Sequence, residues 1–148
     1  MCIRDSLRTG FPAGHGALGL LSSDEFMPGV TAFDQALLDA SGLRIGLITC
    51  ADHRAAPHSV EVARAHFDHL GATILDPDVI HGDEHLDVDL VYLGGGSPTE
   101  LLACLRDNAA WAETLAAWRS GVALAGSSAG AMALCQHCLL YTSPSPRD

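Results

Sequence analysis

The sequence predicts an α/β fold, a mostly parallel sheet with helices on both faces. Three observations lead there. Short apolar runs of strand length alternate along the chain with segments of helical period. Leu43–Thr49 is apolar almost throughout, as expected of a parallel strand covered on both sides. Glycine or proline punctuates most of the switches between the two patterns.

In chain order, Ala17–Leu21 reads as a short buried strand. Ser22–Gly29 is a loop containing Pro28. Val30–Ala40 is an amphipathic helix with Phe33, Leu37 and Leu38 at helical spacing, and Gly42 suits its C-terminal cap. The strand Leu43–Thr49 follows. Val60–Leu70 is a second helix ended by Gly71, and Ala72–Leu75 a third strand closed by Asp76-Pro77. Asp78–Leu86 is polar and carries no clear period. Val88–Leu93 is a fourth strand, broken by Gly94-Gly95-Gly96. Pro98 suits the first turn of a helix reaching about Arg106. Ala109–Arg119 is another helix, with Trp111, Leu115 and Trp118 on one face, and Gly121 ends it. A fifth strand through Val122–Ala125 enters the turn at Ser128, and a helix-forming run spans Ala129–Gln136.

Right-handed crossovers would place the strand-to-helix loops on one edge of such a sheet, where ligands bind. Four loops should converge there: Ser22–Gly29, Cys50–Pro57, Gly94–Pro98 and the turn at Ser128. That turn reads Gly126-Ser127-Ser128-Ala129-Gly130-Ala131, the G-x-S-x-G pattern between strand and helix that marks a nucleophile elbow. Residues without bulk at Gly126 and Gly130 let the chain turn sharply. The hydroxyl of Ser128 is then lifted out of the sheet, and the spacing selects Ser128 over Ser127. The Ala129 N–H would face an oxyanion formed there. A small-residue turn with no chemistry is the alternative.

Composition narrows the partners. With 48% hydrophobic and 18% charged residues the chain is globular, and 148 residues suffice for one domain with a core. A net charge of −10 argues against nucleic acid or an anionic membrane as partner. No apolar run reaches membrane-spanning length. The five cysteines are scattered and odd in number, so a disulfide framework is not expected and a reducing, cytoplasmic compartment fits. Nothing indicates a cofactor. A homo-oligomer is allowed.

The two ends look foreign. Met1–Ser6 can be encoded by ATG TGT ATA AGA GAC AG, and Cys138–Ser143 by TGT CTC TTA TAC ACA TCT, nearly its reverse complement. Residues 1–6 and 138–148 are therefore expected to be adapter-derived, and 7–137 to be the first part of one α/β domain. The pair Cys135-Gln136-His137-Cys138 has redox or zinc spacing, but one cysteine falls in the suspect tail and no second pair exists, so no metal is expected.

Other constellations carry less. Gly94-Gly95-Gly96-Ser97 lacks the third glycine of a dinucleotide loop, and the chain contains no lysine for a phosphate-binding loop. Bare backbone at Gly95 and Gly96 could instead supply N–H groups to a carbonyl oxygen; a tight packing turn is the alternative. Asp24 and Glu25 follow the first strand, and a carboxylate there could bind a substrate amine or simply be solvated. Cys50 reads as a buried thiol. Serine needs a base, yet no histidine convinces: His66 and His69 read as solvated on a helix, His53 and His58 as loop residues, and His81–His85 lacks H-E-x-x-H spacing.

Ser22-Ser23-Asp24-Glu25-Phe26, Val91–Pro98 with its Gly-Gly-Gly, Trp118-Arg119-Ser120-Gly121 and Ala125–Ala131 together resemble the cyanophycinase and dipeptidase E group of serine peptidases. The resemblance covers about Ala17–Cys135. It implies the three-layer class I glutamine amidotransferase-like fold, here incomplete at the C-terminus. It also implies Ser128 as nucleophile, an oxyanion hole from Gly95, Gly96 and Ala129, and an exopeptidase-like preference for small peptide or isopeptide substrates containing aspartate. The family's catalytic histidine and its acidic partner lie downstream of the serine and match no position here. The chain as given is therefore expected to be nearly inactive, and its sheet to end on an unpaired apolar edge. The rival readings are an amidotransferase-like relative acting on another amide, and a non-catalytic binding module.

Overall fold

A computed structural model describes residues 6–8, 13–49, 51, 56–75, 87–106 and 109–135. The strands are β1 (Ser6–Arg8), β2 (Leu18–Leu21), β3 (Arg44–Ile48), β4 (Thr73–Leu75), β5 (Leu90–Leu93) and β6 (Ala123–Ser127). The helices are α1 (Thr31–Ser41), α2 (Ala56–His69), α3 (Pro98–Arg106), α4 (Ala109–Arg119) and α5 (Ala129–Leu134); one 3-10 turn, Pro28–Val30, leads into α1. The strand order is β1-β2-β6-β5-β3-β4, parallel from β2 to β4.

β1 pairs antiparallel with β2, Leu7 opposite Gly19, so the outer edge of β2 is covered rather than bare. The sequence carries no signal for β1, because three residues show no period. The helix α2 begins at Ala56, four residues before the apolar pattern, with Pro57 in its first turn where a missing N–H costs nothing.

Two apolar clusters explain why the strands are hydrophobic on both faces. Ile45, Leu47, Leu90, Tyr92, Ala123 and Ala125 face α1 and α2, meeting Leu37, Leu38, Ala63 and Phe67. The intervening residues Ile48, Val91, Leu93 and Leu124 face the other helices, meeting Leu101, Leu105, Ala129 and Ala133. Alternate side chains of one strand thus serve opposite layers, and the three-layer architecture follows. Parallel strands send all their carboxyl ends to one edge. There β2, β5 and β6 lie side by side and deliver the loop at Glu25, the glycine loop and the turn at Ser128.

Cys104 on α3 is disulfide-bonded, against the expectation of scattered free thiols, while Cys135 is free. Among the described residues no helix is long and apolar enough to cross a membrane. Cys50, His53, His81–His85 and Cys138 lie outside the described residues.

Candidate active site

The turn between β6 and α5 is built by close backbone contact. A Cβ on Gly126 would lie 2.5 Å from the Gly130 carbonyl carbon, and one on Gly130 would lie 2.2 Å from the Leu93 carbonyl oxygen. Only hydrogen fits at either position. Helix α5 therefore starts directly against the end of β5, and the chain must reverse within one residue. That residue is Ser128, at φ 48° and ψ −110°, outside the regions open to side-chain-bearing residues. Its N–H donates to the Leu21 carbonyl oxygen at 3.0 Å, and its carbonyl accepts from Met132 N–H at 2.9 Å, so both sides of the strained residue are anchored. Ser127, the last residue of β6, is 1% exposed, whereas Ser128 is half-buried at the sheet edge.

The glycine loop lies alongside. Gly94 N–H donates to the Ile48 carbonyl at 2.9 Å and Ser97 N–H to that of Ala51 at 2.8 Å, tying the loop to the end of β3. Ser97 Oγ accepts from Glu100 N–H at 3.3 Å, capping α3. A Cβ placed on Gly95 would be 3.4 Å from Ser128 Cβ and 3.1 Å from Glu25 Oε1. Glycine loop, serine and Glu25 thus surround one point.

The structure separates the two candidate carboxylates. Asp24 is exposed and accepts from Ser23 Oγ at 3.2 Å. Glu25 turns inward, and its two oxygens accept from Gly95 N–H at 3.1 and 3.0 Å. Of the three candidate oxyanion donors, the Gly95 N–H is thus engaged by Glu25. Among the described residues no acceptor engages the Gly96 N–H, and the Ala129 N–H begins α5, where helical N–H groups lack an internal partner.

Glu25 is held by backbone strain. Asp24 and Phe26 on either side have φ of 62° and 61°. For a bulky residue such as Phe26 this is costly. The cost is offset by burial of the ring against Tyr92 and Phe67, at centroid distances of 5.4 and 5.8 Å. Burial pushes the Glu25 carboxyl above the usual carboxylate range. The Gly95 N–H and the Ser127 hydroxyl oppose the push, and the buried Asp34 charge adds to it. Ser127 Oγ acts here by proximity, since it forms no hydrogen bond of ordinary geometry among the described residues.

The raised pKa has a stability consequence. Folding favours protonated Glu25, so its contribution is greatest below the ordinary carboxylate pKa and is lost as pH rises through the raised value. Glu25→Gln keeps an acceptor for Gly95 and removes the charge. The variant is expected to melt above wild type at pH 7, with the gap closing by pH 4 in thermal denaturation followed by circular dichroism. A gap that widens toward pH 4 would show that the sign is wrong.

His66 departs from expectation. It is not solvated on α2, because its Nε2 lies 2.8 Å from Asp34 Oδ2 on α1 and its side chain is 9% exposed. Asp34 is fully buried, and burial drives its carboxyl upward against the opposing pull of His66. The ring of His66 packs near Phe26 and Phe67, behind the Glu25 loop. A sequence signal existed: Asp34 shares the helical stripe of Val30, Leu37 and Leu38, where a carboxylate needs a buried partner. His58 and His69 are exposed as read. Among the described residues no histidine hydrogen-bonds to Ser128, and no group of three metal-ligating side chains is gathered.

This arrangement of strained serine, glycine loop and inward carboxylate can be set against known proteins. The model of peptidase family S51 matches residues 35–145. The chain belongs to peptidase family S51. No curated protein matches this S51 chain. A solved structure described as a peptidase from an acI-B1 Actinobacterium is similar, with 27% identity and a TM-score of 0.66 over 81% of the present chain. The S51 chain spans 57% of that peptidase's length.

Proposed function

We propose that this chain carries the nucleophile portion of a serine-type peptidase. The observation that carries the reading is the strained Ser128 at the β6–α5 turn, set against the glycine loop. In the intact enzyme Ser128 Oγ attacks the carbonyl carbon of a short peptide and passes its proton to a histidine supplied downstream of this segment. The oxyanion is received by the N–H groups of Gly96 and Ala129, joined by Gly95 when Glu25 releases it. The leaving amine departs, and water hydrolyses the acyl-serine. Substrates are small aspartate-containing peptides or isopeptides, on the family resemblance. A cytoplasmic location belongs to the same proposal, and the disulfide at Cys104 is the observation that pulls against it.

The intact protein is expected to be labelled at Ser128 by a fluorophosphonate and to cleave aspartyl dipeptides, with both properties lost in Ser128→Ala. The 148-residue chain alone is expected to do neither at an enzyme-like rate. Labelling without dipeptide cleavage would favour the amidotransferase-like relative. Absence of labelling in the intact protein would overturn the serine mechanism and favour a binding module.

A further inference from the structure

The Gly95 N–H lies beside Ser128 and is already taken. A methyl on Gly95 would stand 3.4 Å from Ser128 Cβ, and both oxygens of Glu25 accept from the Gly95 N–H, at 3.1 and 3.0 Å. In the strand order β2-β6-β5, the carboxylate reaches from the loop after β2, past the end of β6, to the loop after β5. Such a bond could serve as a strap between loops, but each loop has anchors of its own. In the glycine loop, Gly94 N–H donates to the Ile48 carbonyl, Ser97 N–H to that of Ala51, and Ser97 Oγ accepts from Glu100 N–H. The loop after β2 is held by the buried ring of Phe26 against Tyr92 and Phe67, and by Met27 N–H donating to the Asp24 carbonyl at 3.1 Å. The Glu25 side chain can therefore turn while both loops stay in place. It is half-buried, so a change of rotamer returns the carboxylate to water, which solvates it better. The positive φ at Asp24 and Phe26 is the kind of strain found at clamps and switches.

We propose that Glu25 is an autoinhibitory latch: in the resting enzyme its carboxylate occupies the Gly95 N–H in place of the substrate oxyanion, and it swings off before that donor joins those of Gly96 and Ala129. The proposal rests on Ser128 being the nucleophile and names a regulation of that site. A carboxylate and an oxyanion cannot share the Gly95 N–H. The group carries one proton, and two anions at hydrogen-bond distance repel each other. With Glu25 seated, the serine works with an incomplete oxyanion hole, and one missing donor slows such chemistry by about 100- to 1000-fold. The seated form is held only modestly. The hydrogen bond to a charged acceptor favours it, while burial opposes the charge on that acceptor. The balance leaves about one molecule in ten open. Exposed Asp24 takes no part in this.

The rate at which an uncharged alkyl fluorophosphonate labels Ser128 in the intact protein reads the latch, because attack by the serine builds negative charge on the oxygen that the N–H groups receive. Glu25→Ala removes the latch and is expected to label about 10-fold faster than wild type. Glu25→Asp keeps the charge but is one methylene too short to seat on Gly95, and it is expected to label faster by about the same factor. A gain in Glu25→Ala with none in Glu25→Asp would overturn the proposal, because loss of charge repulsion alone would then explain it. Slower labelling in either variant would also overturn it and make Glu25 a strap for the glycine loop. Circular dichroism of each variant confirms folding, and if Glu25→Ala does not fold, Glu25→Asp decides alone. Labelling of all three proteins at one rate would defeat the latch and leave Ser128 as the nucleophile. Labelling of none of them would overturn the nucleophile and the latch together.

Discussion

Gly130→Ala is expected to unfold the protein or to lower its stability by about 3 kcal/mol or more, the upper end for overpacking. The added methyl would stand 2.2 Å from the Leu93 carbonyl oxygen and 2.8 Å from the Leu93 carbonyl carbon and Cβ. None of these atoms can yield cheaply. Leu93 is fully buried, and its strand is paired on both sides, with Ile48 of β3 and Gly126 of β6. Relief would require α5 to lift from the sheet, which would carry Ser128 away from the glycine loop. Gly126→Ala meets the same contact from the other side, because its methyl would press on Gly130. The double variant should therefore cost less than the two single costs added together. Gly29→Ala serves as control, since its methyl would meet nothing within 4 Å, and should melt near wild type. Urea denaturation of wild type and the four variants decides the matter. A Gly130→Ala midpoint equal to that of Gly29→Ala would mean that α5 does not seat on β5 as described.

The elements that sequence revealed are those whose cause is local. Helix α3 runs from Pro98 to Arg106 as expected, because Pro98 and the glycines before it leave little choice of start. Strands β3, β5 and β6 were legible because burial on both faces demands unbroken apolar runs. The tight turn from β6 into α5 was legible because Gly126 and Gly130 are dictated by the turn itself. What escaped depends on contacts between distant segments. The Glu25–Gly95 bond joins residues 70 positions apart, and only the convergence of loops at one edge hinted at it. Sequence could not choose between Asp24 and Glu25, since adjacent residues in a loop have no fixed face. The choice is made by positive φ at Asp24 and Phe26, and by the aromatic pocket that receives Phe26. His66 was misread for a related reason. Its partner Asp34 sits on another helix, 32 positions away.

In the intact protein, Ser128→Gly is expected to abolish the proposed turnover while making the fold more stable, and the pairing of those two effects is the sharpest test of the site. On the proposed serine mechanism, loss of the Ser128 hydroxyl should lower kcat of the intact protein by about 10^4-fold or more, since binding contacts and oxyanion stabilisation alone supply little of the chemistry. Ser128→Ala should lose activity to the same degree but keep the Cβ that makes φ 48° and ψ −110° costly. Its melting temperature should stay near wild type. In Ser128→Gly the strain, about 1–3 kcal/mol at such a position, is relieved. The greater freedom of glycine in the unfolded chain takes back about 0.5–1 kcal/mol. A net gain of about 1 kcal/mol remains, worth several degrees in melting temperature for a domain of this size. The comparison that matters is Gly against Ala, because both lack the hydroxyl and differ only in the Cβ. If Gly melts higher, the fold is spending stability to aim the Ser128 side chain, as a packing turn would have no reason to do. If the two melt together, the backbone at Ser128 is relaxed, and the reading of this turn as a nucleophile elbow loses its principal physical support.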